Sequence, residues 1–114
     1  MLTKPKLTTV QIECFKDQGF VIFPKAFDVV EAKTIQDWTV ELTEAPEEPG
    51  RHWVYHETSL VEKNLSLINR IENMTPFHEG FRSLADSLLP SVGQLLREEA
   101  VLFKDKINFK MPGG

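Results

Sequence analysis

Lys104, Lys106, Asn108 and Lys110 recur at every second position near the end of the chain. On a β-strand that spacing sends all four side chains to one face. Three ammonium groups in a row repel one another unless water or an anion stands between them. The row therefore reads either as a solvated face or as a cation-rich wall for a carboxylate, to which Asn108 adds a hydrogen-bond donor. The opposite face carries Val101, Phe103, Ile107, Phe109 and Met111, broken only by Asp105. Residues 101–114 set three Lys against one Asp, although the whole chain has a formal net charge of -4. A small anionic ligand near this strand suits that asymmetry, and a nucleic-acid partner does not.

Other reactive side chains are sparse. His52 and His56 stand four apart, a spacing that suits a zinc pair on a helix. Their segment reads as a strand, where they would lie about 13 Å apart, too far to share an ion. No His-x-Asp or His-x-Glu occurs, no phosphate-binding glycine loop is present, and nothing unites a Ser-His-Asp set. Neither a catalytic residue nor a metal ligand is therefore assigned. Arg70 and Glu72 on one strand, with Glu57 on its neighbour, can form an ion-pair cluster. Cys14 is the single cysteine, so no internal disulfide exists, and it reads as a small apolar residue of a helix.

These side chains need elements to position them. Residues 1–7 read as a loose tail. Thr8 and Gln11 have capping-box spacing ahead of a first helix that Gly19 ends. Phe20 to Pro24 reads as a short strand with an edge-type proline. Asp28 and Glu31 cap a second helix with Ala32, Ile35, Trp38 and Leu42 on its apolar stripe. An acidic, proline-bearing loop follows over 44–50. Two strands are expected over 52–57 and 67–73, with Ile68, Arg70 and Glu72 on one face. Thr75-Pro76 opens a further helix, Pro90 restarts it, and the lysine strand closes the series. Helices packed on one face of a sheet, an α+β architecture, suit this order better than a doubly wound nucleotide fold.

With 114 residues there is room for one domain. A hydrophobic share of 41% and a charged share of 26% are those of an ordinary globular protein. No apolar leader or membrane span is visible, so a cytoplasmic protein without membrane contacts is expected. Met111-Pro-Gly-Gly114 is a turn with nothing after it. The expectation is a single incomplete domain over 1–114: the tail, then helices and first strands over 8–100, then a core strand over 101–114. Unpaired strand edges in such a piece favour self-association.

Four stretches resemble the N-terminal part of phytanoyl-CoA dioxygenase-like proteins, which are Fe(II)- and 2-oxoglutarate-dependent oxygenases. They are Gln18-Gly-Phe-Val-Ile-Phe-Pro24, the helix from Asp28 to Leu42, Asn69-Arg-Ile-Glu-Asn73 with Pro76-Phe-His-Glu-Gly80, and Phe103 to Gly114. The last is the most specific. In one branch of that family such a strand and turn lead into the iron-binding His-x-Asp. The resemblance implies the N-terminal portion of a double-stranded β-helix, or jelly roll, with helices outside the sheet. It implies that Lys106 and Asn108 lie near 2-oxoglutarate and that Lys104 and Lys110 face a small organic substrate. The iron ligands are missing from the sequence, so the 114 residues are expected to bind neither Fe(II) nor 2-oxoglutarate stably and to be inactive alone. The competing expectation is a non-catalytic α+β module that binds a carboxylate or a protein.

Overall fold

Each helix begins where a side chain can take up the free N–H groups of its first turn. In the computed structural model, which describes residues 6–114, α1 spans Thr9–Gln18 and α2 spans Val29–Glu44. Thr8 with Gln11, and Asp28 with Glu31, close reciprocal capping boxes, as their spacing predicts. Gly19 ends α1 in the left-handed conformation at φ 81°, where a Cβ would be strained. Most of the predicted tail, residues 1–5, lies outside the described residues.

The expected strand over Phe20–Pro24 does not form. Ile22 is exposed, Pro24 has no N–H to donate, and Lys25 turns the chain at φ 54°. A strand needs a partner ladder, and among the described residues none lies beside this run.

Strands β1 (Trp53–Thr58) and β2 (Ser66–Glu72) pair antiparallel within a residue of their expected bounds. β3 (Lys106–Asn108) pairs antiparallel with the other edge of β2, giving the order β1-β2-β3. The register slips between Tyr55 and His56, so Tyr55 faces Arg70 while His56 faces Ile68, and Asn69 is the extra residue. This bulge corrects the expected faces. Ile68 joins Ile71, three positions on, against the core, whereas Arg70 and Glu72 look the other way.

Helix α3 runs unbroken over Glu79–Leu96 and contains Pro90. The sequence pointed instead to a start at Thr75-Pro76 and a restart at Pro90. His78 is the cap, its Nδ1 accepting the Phe81 N–H at 3.2 Å. Thr75 is drawn into a bond with Asp105. The apolar stripe of α3 passes through Pro90 without a phase change, so packing holds the helix across the missing N–H.

Leu42, Ile71, Met74 and Phe81 form the buried centre. Ile35 and Trp38 of α2, Leu84 of α3, and Val54, Ile68, Ile107 and Phe109 from the sheet side surround it. The helices thus cover one face of the sheet. Only part of the last expected strand is regular: Phe103 is 98% exposed, and residues 101–105 are irregular. The radius of gyration is 16.8 Å, against about 13 Å for a compact domain of this length. No helix among the described residues is long and apolar enough to cross a membrane.

Candidate functional site

The uncovered face of the sheet carries the polar groups. Residues paired across strands project to the same side. Register therefore lays Trp53, Glu72 and Lys106 in one row and Tyr55, Arg70 and Asn108 in the next. The guanidinium of Arg70 lies 4.3 Å from the centre of the Tyr55 ring, a cation–π contact.

Glu72 is the charged hub of this face. Its side chain is 4% exposed, with Lys104 Nζ 2.8 Å and Arg70 Nε 3.7 Å from Oε1. The Lys104 ammonium, with help from the Tyr55 hydroxyl and the Arg70 charge, holds its carboxyl below the ordinary value against the opposing effect of burial. The expected cluster of Arg70, Glu72 and Glu57 is thus half formed. Glu57 stands apart and accepts a bond from Asn69 Nδ2 at 3.2 Å.

The four residues singled out for ligand binding separate into two places. Asn108 and Lys110 border a recess of about 310 Å³ with Glu57, Asn69, Arg70 and Gly114. Lys104 and Lys106 border a groove of about 530 Å³ beside the Leu84, Leu88 and Val92 side of α3. Lys104 is already paired with Glu72, whereas Lys106, Asn108 and Lys110 are exposed and make no side-chain bond among the described residues.

Asp105 has a role that residue spacing did not disclose. Its carboxylate accepts from Met74 N at 2.9 Å, Thr75 N at 3.2 Å and Thr75 Oγ1 at 2.7 Å. It ties the approach to β3 onto the turn after β2. The visible signal was its position as the one acid within an apolar row. The closing turn also docks: Leu60 N donates to Gly113 O at 2.7 Å, against the end of β1.

A non-haem iron site of the 2-oxoglutarate type needs two His and a carboxylate on one ion. Among the described residues no three His, Cys, Asp or Glu side chains come together in such a group. His56 Nε2 lies 2.8 Å from Glu47 and His78 Nε2 lies 2.8 Å from Glu41, at separate places on the surface, while His52 is buried. The residues present do not fit an iron centre.

No family model matches the chain, and no solved structure matches it significantly. Among curated proteins it is 41% identical over 102 residues to 2-aminoethylphosphonate dioxygenase of the uncultured bacterium HF130_AEPn_1, covering 88% of this chain and 38% of that protein. It is 30% identical over 112 residues to methylphosphonate hydroxylase of Gimesia maris, covering 95% of this chain and 41% of that protein. Dioxygenase lolE1 of Epichloe uncinata is 27% identical over 116 residues, covering 96% and 43%. The chain spans about two fifths of the length of these relatives, and it is similar to proteins named as dioxygenases and hydroxylases.

Proposed function

We propose that these residues form part of an Fe(II)- and 2-oxoglutarate-dependent oxygenase of the phytanoyl-CoA dioxygenase-like type. The whole protein oxidises a small organic substrate, and organophosphonates lead because two relatives are named for them. In this reading the sheet is one wall of a double-stranded β-helix. Its apolar side meets the helices, and its polar side faces the cavity that the remaining strands close. The thin core, the edges of β1 and β3 that have no neighbouring strand among the described residues, and the elongated shape support that reading. Exposed edges of this kind also favour self-association of the isolated chain. By themselves the 114 residues are expected to be catalytically silent.

Iron and 2-oxoglutarate, when bound in the whole protein, supply the oxidant. This chain contributes position and charge. Lys106 and Asn108 offer an ammonium and an amide to the cosubstrate carboxylates. Glu72 pairs with Lys104 and lies beside Arg70, which is folded over Tyr55, so this one carboxylate faces two cations and the wall keeps a net positive charge to which Lys106 and Lys110 add. The observation that carries the reading is the in-register polar face, uncovered opposite a helix-covered one, in a chain 41% identical to a dioxygenase.

A chimera tests it. The matching part of 2-aminoethylphosphonate dioxygenase is replaced by this chain, and succinate release is measured with Fe(II), 2-oxoglutarate and 2-aminoethylphosphonate. Iron-dependent turnover is expected, with Lys106→Ala and Asn108→Ala each raising the KM for 2-oxoglutarate. A folded chimera with no turnover, or turnover indifferent to both residues, overturns the proposal.

A further inference from the structure

Glu57 is a half-buried carboxylate with no cation beside it. Among the described residues its side chain bonds only to the neutral amide of Asn69, at 3.2 Å. The other buried or half-buried acids of this sheet are compensated, Glu72 by Lys104 and Asp105 by three donors. A carboxylate drawn partly out of water without a positive partner carries an uncompensated desolvation cost. Asn69, placed here by the β-bulge, adds a second unsatisfied acceptor, because its Oδ1 is buried without a donor. Oε1 of Glu57 lies against the backbone of Gly114, where an added Cβ would stand 2.1 Å from it.

Asn108 and Lys110 border the same recess and have the opposite deficit. They are donors without acceptors among the described residues. Arg70 does not fill that role, since its guanidinium is held over Tyr55 and beside Glu72. Glu57 pairs with Leu67 and Asn108 with Arg70 on opposite edges of β2, so their backbones are offset both across and along the sheet and stand roughly 14 Å apart, with Lys110 further along towards the level of Glu57. A flexible lysine side chain shortens that span. A recess of about 310 Å³ has room for roughly ten water-sized groups.

We propose that this recess binds a small zwitterion. Its primary ammonium sits on Glu57, which Asn69 positions, and its anionic end sits on Lys110, leaving Asn108 at the rim for the cosubstrate. The proposal rests on the oxygenase reading only in taking that zwitterion to be the substrate. A charge-assisted bond to an ammonium is the feature that separates an amino-substituted anion from its unsubstituted analogue.

The test uses the isotopically labelled chimera at neutral pH, without iron or 2-oxoglutarate, with its fold checked by amide dispersion. 2-Aminoethylphosphonate and ethylphosphonate are titrated separately, and amide shifts are followed at Glu57, Asn69 and Lys110. The amino compound is expected to bind about tenfold more tightly. Glu57→Gln should erase that preference. Lys110→Ala, at an exposed position, should weaken both ligands by a similar factor. Equal affinities in the unaltered chimera, no saturable shifts in the recess, a preference that survives Glu57→Gln, or indifference to Lys110→Ala each overturns the proposal. Turnover by the chimera is a separate readout, so its failure would leave a Glu57-dependent preference standing.

Discussion

Lys104 and Glu72 form a 2.8 Å ion pair in which the carboxylate is 4% exposed and the ammonium is mostly in water. Such a pair is asymmetric. Removing the lysine strands a buried charge, whereas removing the carboxylate merely frees a solvated cation. Lys104→Met should therefore destabilise the fold more than Glu72→Gln does, measured by urea unfolding at pH 7.

The same pair sets an acid dependence. The carboxyl of Glu72 is held below its ordinary value of 4.5 when folded. A depressed folded value contributes stability that is present above the unfolded value and is lost as pH falls through the folded one. Unfolding of the unaltered chain and Glu72→Gln at pH 7, 5, 4 and 3 should show a constant gap down to pH 5. The gap should narrow below about pH 4.5. A gap independent of pH would show that Glu72 stabilises through shape and not charge.

Asp105 should be among the costliest single polar positions. Its carboxylate serves two backbone N–H groups and one hydroxyl, all part-buried. Asp105→Ala leaves those donors unsatisfied, at on the order of 3 kcal/mol. Thr75→Ala removes one donor and leaves the others in place, so about 1 kcal/mol is expected. Denaturant midpoints for the two variants check both the order and the ratio.

Local chemistry explains which parts of the fold could be read in advance. Thr8 with Gln11, Asp28 with Glu31, and Gly19 act within one turn of chain, and all three did what their spacing predicts. Features that depend on distant partners were hidden. The strand over Phe20–Pro24 lacked a ladder to join. Asn69 became a bulge only because β1 and β2 must both present apolar residues to the helices. The site followed the same rule. Alternation put Ile107 and Phe109 on the core side and left Lys106 and Asn108 outside, but no local pattern could tell that Glu72 would claim Lys104.

Pro90 offers a gain in place of a loss. It lies inside α3 on an exposed position and cannot donate to the carbonyl of Asp86 one turn earlier. Pro90→Ala restores that donor and removes the ring, while the unfolded chain becomes somewhat freer. The balance favours the variant by about 2 kcal/mol, so its thermal midpoint should rise. An unchanged or lower midpoint would mean that the proline shapes the helix in a way the rest of the packing requires.

Gly113 should tolerate no side chain. It stands at φ 83°, and a Cβ there would meet Val61 Cγ2 at 2.7 Å and Ser59 Oγ at 2.8 Å. Gly113→Ala adds about 1–2 kcal/mol of backbone strain to that clash. The turn should lift away and break the bond from Leu60 N to Gly113 O. Faster hydrogen exchange at the Leu60 amide, with β2 amides unchanged, is the expected signature.

The two neighbouring lysines of the last segment should behave differently towards an anionic ligand. Lys104 spends its charge on Glu72, whereas Lys106 has no partner among the described residues. A ligand carboxylate arriving at this wall gains a new charge-assisted bond from Lys106 but must compete with a buried carboxylate for Lys104. In the chimera, Lys106→Ala should raise the KM for 2-oxoglutarate about tenfold at unchanged thermal midpoint. Lys104→Ala should lower the midpoint and leave that KM within about twofold. The reverse pattern would mean that Glu72 releases Lys104 when ligand binds, and that the ion pair is a resting arrangement of the wall instead of a fixed one.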